Sequence, residues 1–250
     1  QCSNTKLVYG CYTNKKRNQI TEACFLRYIS SNCPQFHSSE PPSPNAIIIK
    51  GYVTKQNKDV GPEFHKIIWS LCGDDNLTVG KSCKVDPCLK LLEGYPLMVN
   101  TNTGKENNIV KGIMGNFIGV IWKPNCYPHV EDFHGYKVHC AYVSDVEYLI
   151  LRLHVDGRRV HISPEVFHPV IKFPPCTKMK EVKGCAIFQF PVNVSLAITG
   201  HKLQGMTVDI LVLSEVHLSP NWLYVLLSRV TSLKGLYLMK PLRKDMFKPI

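Results

Sequence analysis

A chain of 250 residues, 44% of them hydrophobic and with a mean hydropathy of −0.07, has room for one large domain or two small ones with real cores. No stretch approaches the roughly 20 apolar residues of a membrane helix, and no secretory signal is visible, so spanning and secreted proteins fall outside the expectation. The net charge of +11 points to a polyanionic partner, nucleic acid first, though a merely basic soluble protein shares it.

The 11 cysteines are odd in number, irregularly spaced and without a C-x-x-C. Reduced thiols inside a cell suit that pattern better than a disulfide framework. Cys126, His129, His134, His139 and Cys140 mix zinc-competent ligands, yet their spacing matches no structural zinc pattern. No bound metal is expected, and a zinc-binding interaction domain stays as the lesser alternative. The first residue is Gln1, not methionine, so the chain reads as a piece of something longer.

In chain order, Lys6 to Ile29 reads as a short strand (Leu7 to Cys11), a basic turn and a helix. Ile20, Ala23, Cys24 and Leu26 to Tyr28 are expected on its apolar side. Thr13 and Asn14 sit where a loop could meet a nucleotide or nucleic acid; a capped turn with a solvated Lys15-Lys16-Arg17 face is the equal alternative. Ser30 to Asn45, rich in proline and serine, reads as a linker or surface loop, and Ala46 to Thr54 as one strand. Lys55 to Gly80 is uninformative, except that Trp69 and Leu71 suggest partial burial.

Leu89 to Trp122 predicts a hairpin arm around L-M-V-N, then a strand F-I-G-V-I-W after Gly112 and Gly115. Tyr148 to Val155 and Arg158 to Ile162 are short strands about an Asp156-Gly157 turn. This is small-barrel texture, inserted into an α/β domain that resumes near Ala186.

The C-terminal stretch predicts strand, helix, strand. Val208, Ile210 and Val212 alternate with Asp209 and Leu211 as a strand might. Ser219-Pro220 is a suitable helix start, and Leu223, Leu226, Leu227 and Val230 form a buried face. Gly235 is expected to break that helix before a strand at Leu236 to Met239. Gly200 to Thr207 falls one residue short of a Walker A loop, with Met206 in the lysine's place. No other stretch supplies a Walker A, and no apolar run ending in D-E supplies a Walker B.

Four segments carry a resemblance. A-I-T-G-H-K-L-Q-G-M-T-V-D (Ala197 to Asp209) resembles the fifth motif of the superfamily-1B DNA helicases of the petite-integration-frequency type, relatives of RecD and of Helitron transposon helicases. Y-V-L-L-S-R-V (Tyr224 to Val230) resembles their sixth, and C-Y-T-N-K-K-R-N their fourth. Leu89 to Trp122 resembles, more loosely, the edge of the family's small SH3-like β-barrel insertion, with Lys111 where the family usually has asparagine; Gly200, where the fifth motif has a β-branched residue, also departs from the pattern.

The resemblance implies an α/β fold: a second RecA-like domain (P-loop NTPase type) with an inserted small SH3-like β-barrel. It divides the chain into residues 1–30 (first part of that domain), 31–85 (linker and connecting strands), 86–185 (barrel region) and 186–250 (the remainder, with the fifth and sixth motifs). It implies the C-terminal part of an ATP-dependent DNA helicase, moving 5′ to 3′, with expected roles in DNA repair, recombination and telomere maintenance. Arg229 matches the arginine that reaches the γ-phosphate, and Gln204 and Gly205 match positions near the nucleotide. Thr13, Asn14, Thr199, His201 and Lys202 match DNA-contacting positions. ATP and Mg²⁺ are expected only together with a first RecA-like domain in cis. Single-stranded DNA or DNA junctions are the expected partners and no membrane is; the location is nuclear, with mitochondrial or cytoplasmic as alternatives. A non-catalytic nucleic-acid-binding remnant of a transposon-type helicase is the competing reading.

Overall fold

The computed structural model describes residues 7–56, 58–70, 77–78, 86–102, 109–172, 181–182, 184–214 and 221–243. The chain forms two compact units, Gln1–Thr21 with Ser195–Ile250, and Glu22–Val194. No helix among the described residues is long and apolar enough to cross a membrane.

The first unit is built on a four-stranded sheet in the order Ala197–Thr199, Leu7–Cys11, Ile210–Leu213, Leu236–Leu238, all parallel. Parallel strands are covered on both faces and so read as continuous apolar runs. The strand expected after Val208 is present and its burial alternates: Leu211 and Leu213 are fully buried, Ile210 and Val212 half-buried. Gly10 leaves space on the central strand into which the Leu211, Leu213 and Leu226 side chains pack.

The helix Trp222–Leu227 buries Trp222, Leu223 and Leu226, while Leu227 and Val230 are only half-buried. It follows Asn221, whose φ of 60° turns the chain; Ser219 and Pro220 lie outside the described residues. Gly235 does not end this helix. It closes a short 3₁₀ turn, Leu233–Gly235, and a side chain there would collide with the carbonyl oxygen of Asp209. Because the obstacle is backbone, Gly235→Ala is expected to destabilise the unit by about 3 kcal/mol, read from the urea midpoint.

The boundary between the units falls inside the helix Asn14–Asn32, which runs into the predicted linker. In the second unit Phe25 and Ile29 are its fully buried residues, packed with Ala46, Ile48, Val138 and Cys140. Ala23, expected on the apolar side, is exposed, and Cys24, Leu26 and Tyr28 are half-buried. The stripe is therefore narrower than the sequence suggested.

The helix lies against a sheet ordered Cys88–Leu92, Ala46–Lys50, Tyr136–Tyr142, His129–Phe133. A five-stranded antiparallel sheet follows the order Arg159–Ile162, Val146–Leu153, Met114–Trp122, Pro96–Val99, Val192–Val194. The hairpin arm predicted from L-M-V-N is the Pro96–Val99 and Met114–Trp122 pair. The single strand expected over Ala46 to Thr54 is two strands in different sheets, Ala46–Lys50 and Tyr52–Lys55. Gly51 makes the break: its N–H donates to Pro87 O at 2.8 Å, and a side chain would press on the Pro87 and Phe188 carbonyls. Tyr52–Lys55 pairs with Cys185–Gln189 instead. Trp69, on the helix Pro62–Ser70, is half-buried as expected and donates from Nε1 to Gly51 O at 2.9 Å; Leu71 lies outside the described residues.

Candidate nucleotide and nucleic-acid edges

Within the first unit, Leu7–Cys11 and Ala197–Thr199 run side by side with Cys11 opposite Thr199. Both strands therefore end on one edge of the sheet. Beyond the first, Thr13 caps the helix Asn14–Asn32: its hydroxyl accepts the Lys16 N–H at 3.1 Å and its carbonyl the Arg17 N–H at 3.1 Å. The capped turn expected as the alternative is present. The first turn behind the cap holds Lys15, Lys16 and Arg17 and no acid. Cations at the positive end of a helix dipole cost stability, whereas an anion there is favoured.

Beyond the second strand, Thr199 is buried in extended conformation, and its side chain caps nothing. The one-turn helix Gly200–Leu203 buries Leu203 as its anchor and leaves His201 and Lys202 exposed. Thr13, Asn14, Thr199, His201 and Lys202 thus occupy a single edge, joined there by Lys15 and Lys16.

Gly200 opens this turn rather than interrupting it. A Cβ on Gly200 would stand 2.6 Å from Nε1 and 3.0 Å from Cδ1 of Trp222. The indole occupies the space that the family's β-branched side chain would need. Trp222 is 5% exposed and meets the Tyr12 ring edge-on at 5.9 Å. Its Nε1 is buried without a hydrogen-bond partner among the described residues. Sequence reading passed over Trp222; the missing β-branched residue was the only signal of it.

From Leu203 the chain returns to the opposite edge. Gly205 takes a φ of +81°, where glycine is favoured, as Met206 N–H donates to Leu203 O at 3.0 Å. Val208 then bridges Val230 in parallel, just before Ile210 enters the sheet. Its N–H donates to Arg229 O at 3.0 Å. Gln204 and Gly205 are thus on the return path, and Arg229 is at its end. Arg229 therefore sits toward the edge opposite the residues matched to DNA, while Gln204 and Gly205 lie in the turn that leaves Leu203.

The Arg229 side chain is half-buried and folded back on its own helix. Nε donates to Val225 O at 3.1 Å and Nη2 to Ser228 Oγ at 2.9 Å. A cation at the carbonyl end of a helix is favoured by the dipole. It forms no ion pair among the described residues, so an anionic oxygen would replace neutral acceptors, and charge-assisted bonds are stronger than those.

The residues considered for zinc are not gathered: no group of three or more metal-capable side chains occurs among the described residues. His139 and Cys140 are consecutive in the strand Tyr136–Tyr142 and so point to opposite faces.

No family model and no curated protein matches this chain. Solved structures do. A Bacteroides Pif1 helicase in complex with ADP-AlF3 and ssDNA aligns at a TM-score of 0.56 and 18% identity, over 100% of this chain and 44% of its own. The Candida albicans Pif1 helicase aligns at 0.56 and 16%, over 98% of this chain and 48% of that one. The fold is that of part of a Pif1 helicase. The chain spans less than half the length of these Pif1 helicases. A third match, from Pif1 helicases described as unwinding forked duplex DNA, has a TM-score of 0.55 at 18% identity and covers 98% of this chain and 42% of that one. At this identity the Pif1 likeness is one of fold.

Proposed function

We propose that this chain is the second RecA-like half of an ATP-dependent DNA helicase that moves 5′ to 3′ along single strands, with a small β-barrel of the SH3 type inserted over residues 86–185. The observation that carries the reading is that Arg229 and the residues matched to DNA lie toward opposite edges of one parallel sheet. A motor must bind nucleotide and track at once, with a rigid body between them that passes on the closing of the nucleotide cleft. Gln204, Gly205 and Arg229 would serve the nucleotide, and Thr13, Asn14, Thr199, His201 and Lys202 the strand. The Bacteroides Pif1 helicase bound to ADP-AlF3 and ssDNA lends support, since it holds both kinds of ligand.

In this scheme ATP lies between this half and a first RecA-like domain in cis, which supplies the Walker A lysine and the magnesium ligands. Magnesium held there would supply positive charge to the phosphates during transfer. Arg229 leaves Val225 O and Ser228 Oγ for the transferring phosphoryl group. A nuclear location and roles in DNA repair, recombination and telomere maintenance follow from the same reading. Hydroxyl, imidazole and ammonium groups contact phosphates without reading sequence.

The test is anisotropy of a labelled single strand over a salt series. Binding should be sequence-independent, and each phosphate contact should add about 0.7 to the slope of log affinity against log salt. Lys15→Glu with Lys16→Glu should flatten that slope and weaken binding. The same pair of changes should stabilise the helix by about 0.3–1 kcal/mol per charge, because acids suit its first turn. No binding to any single strand would sink the DNA assignment. Magnesium-dependent ATP turnover by this chain alone, above a mock preparation, would contradict the half-motor assignment.

A further inference from the structure

The second unit holds a cavity that the reading above does not use. It has a volume of about 250 Å³ and lies where the Met114–Trp122 strand passes the start of the Ala46–Lys50 strand. Ile47, Phe117, Val120 and Trp122 supply apolar and aromatic wall, while His139 and Glu93 supply polar groups. His139 stands beside Ile47 in register, so the two share a face of their sheet.

His139 Nδ1 is buried and has no hydrogen-bond partner among the described residues. A cavity with an aromatic wall and a few convergent polar groups is the usual form of a small-molecule site, and His139 is among the residues that line this one. Burial also lowers the His139 pKa from its ordinary value, which keeps the ring neutral at physiological pH. A neutral imidazole can donate or accept, according to its tautomer. The carboxylate of Glu93, an exposed residue, accepts from N–H groups.

An occupant must therefore be flat enough to lie along an indole, edged with nitrogen and oxygen donors and acceptors, and uncharged in the ring. Lys123 and Tyr127, each next in sequence to a lining residue, are exposed, and Tyr127 is 76% so. An exposed lysine and tyrosine so close in sequence to lining residues suit a phosphate and a neighbouring base.

We propose that this cavity is a base pocket: it takes one unstacked, amino-bearing nucleobase of a single strand, laid against Trp122 with its polar edge toward His139 and Glu93. The proposal rests on the nucleic-acid reading above and adds a contact to the base itself, where that reading has contacts to phosphate.

The experiment compares two strands of equal length, oligodeoxyadenylate and its abasic counterpart, with free adenosine as a third probe. The chain should bind the intact strand about tenfold more tightly than the abasic one, the scale of one stacked base. Adenosine should quench indole fluorescence in the wild-type chain and not in Trp122→Phe. Trp122→Leu and His139→Phe should each abolish the preference for bases while leaving affinity for the abasic strand unchanged. Trp122→Phe should keep most of the preference, since a ring remains.

His139→Phe removes an unsatisfied polar atom, so its melting temperature should hold or rise. A variant that lost both folding and preference would leave the decision to the Trp122 pair. Equal binding of both strands, or a preference that survives Trp122→Leu and His139→Phe alike, overturns the pocket and leaves the phosphate contacts standing. Binding of neither strand overturns the nucleic-acid reading and this inference together. Adenosine binding without a preference among strands makes the pocket a free-nucleoside site and also overturns the proposal.

Discussion

If this chain works as proposed, joined to a Walker A-bearing domain, Arg229→Ala is expected to lower the rate of ATP turnover by about 10³-fold or more, with strand binding intact. The transferring phosphoryl group gathers charge on its equatorial oxygens, and a guanidinium fixed beside it stabilises that charge more than it stabilises bound ATP. KM for ATP should therefore change far less than kcat. Arg229→Lys should recover little, because an ammonium lacks the planar fork. The resting side chain bonds to Val225 O and Ser228 Oγ, both neutral, so its removal breaks no ion pair among the described residues. Folding stability should fall only slightly, by about 0.3–1 kcal/mol for a lost cation at a helix end. That separates a catalytic role from a structural one: wild-type turnover in Arg229→Ala, or a loss explained by unfolding, ends the arginine-finger assignment.

Gly200→Val is expected to destabilise the first unit by about 3 kcal/mol, the upper range for overpacking. The position looks tolerant from sequence, since relatives carry a β-branched residue there. In this chain the new Cβ would fall 2.6 Å from Trp222 Nε1, and that indole is packed against Tyr12 with little room to withdraw. Trp222→Leu alone should also destabilise, by about 2–4 kcal/mol, through the cavity it leaves. The two changes together should cost less than their sum by about 1–3 kcal/mol, because the smaller residue clears the space valine needs. Urea unfolding of the four proteins measures this. Simple additivity would show that glycine and tryptophan do not share the space.

Glycine at position 200 reads in the sequence as a departure from the helicase pattern. It is instead one half of a packing pair whose other half stands on a different helix. Nothing in Ala197 to Asp209 announces its partner, because the indole approaches from residues distant in the chain.

The same distinction separates what was legible from what was not. The strand Leu7–Cys11, the cap at Thr13, the Pro96–Val99 and Met114–Trp122 hairpin and the C-terminal strand Leu236–Leu238 all rest on local periodicity and turn chemistry. Those depend on residues a few positions apart, which the sequence displays directly. The motif resemblance, likewise, is a matter of ordered residues in short windows.

That Leu211 and Leu213 are the fully buried pair of Ile210–Leu213 needed the sheet order, since its neighbours are Leu7–Cys11 and Leu236–Leu238. The break at Gly51 needed two carbonyls, Pro87 and Phe188, to come within reach of its α-carbon. The edge on which each candidate residue stands needed Cys11 beside Thr199 and Val208 beside Val230. His139 was legible as a histidine among possible metal ligands; that its Nδ1 is buried and unsatisfied beside Trp122 and Phe117 was not. The sequence by itself determined several of the strands and helices and which segments carry helicase-like motifs. Tertiary structure alone decided which surfaces those segments share, because a side chain's environment is set by neighbours that the chain brings from far away.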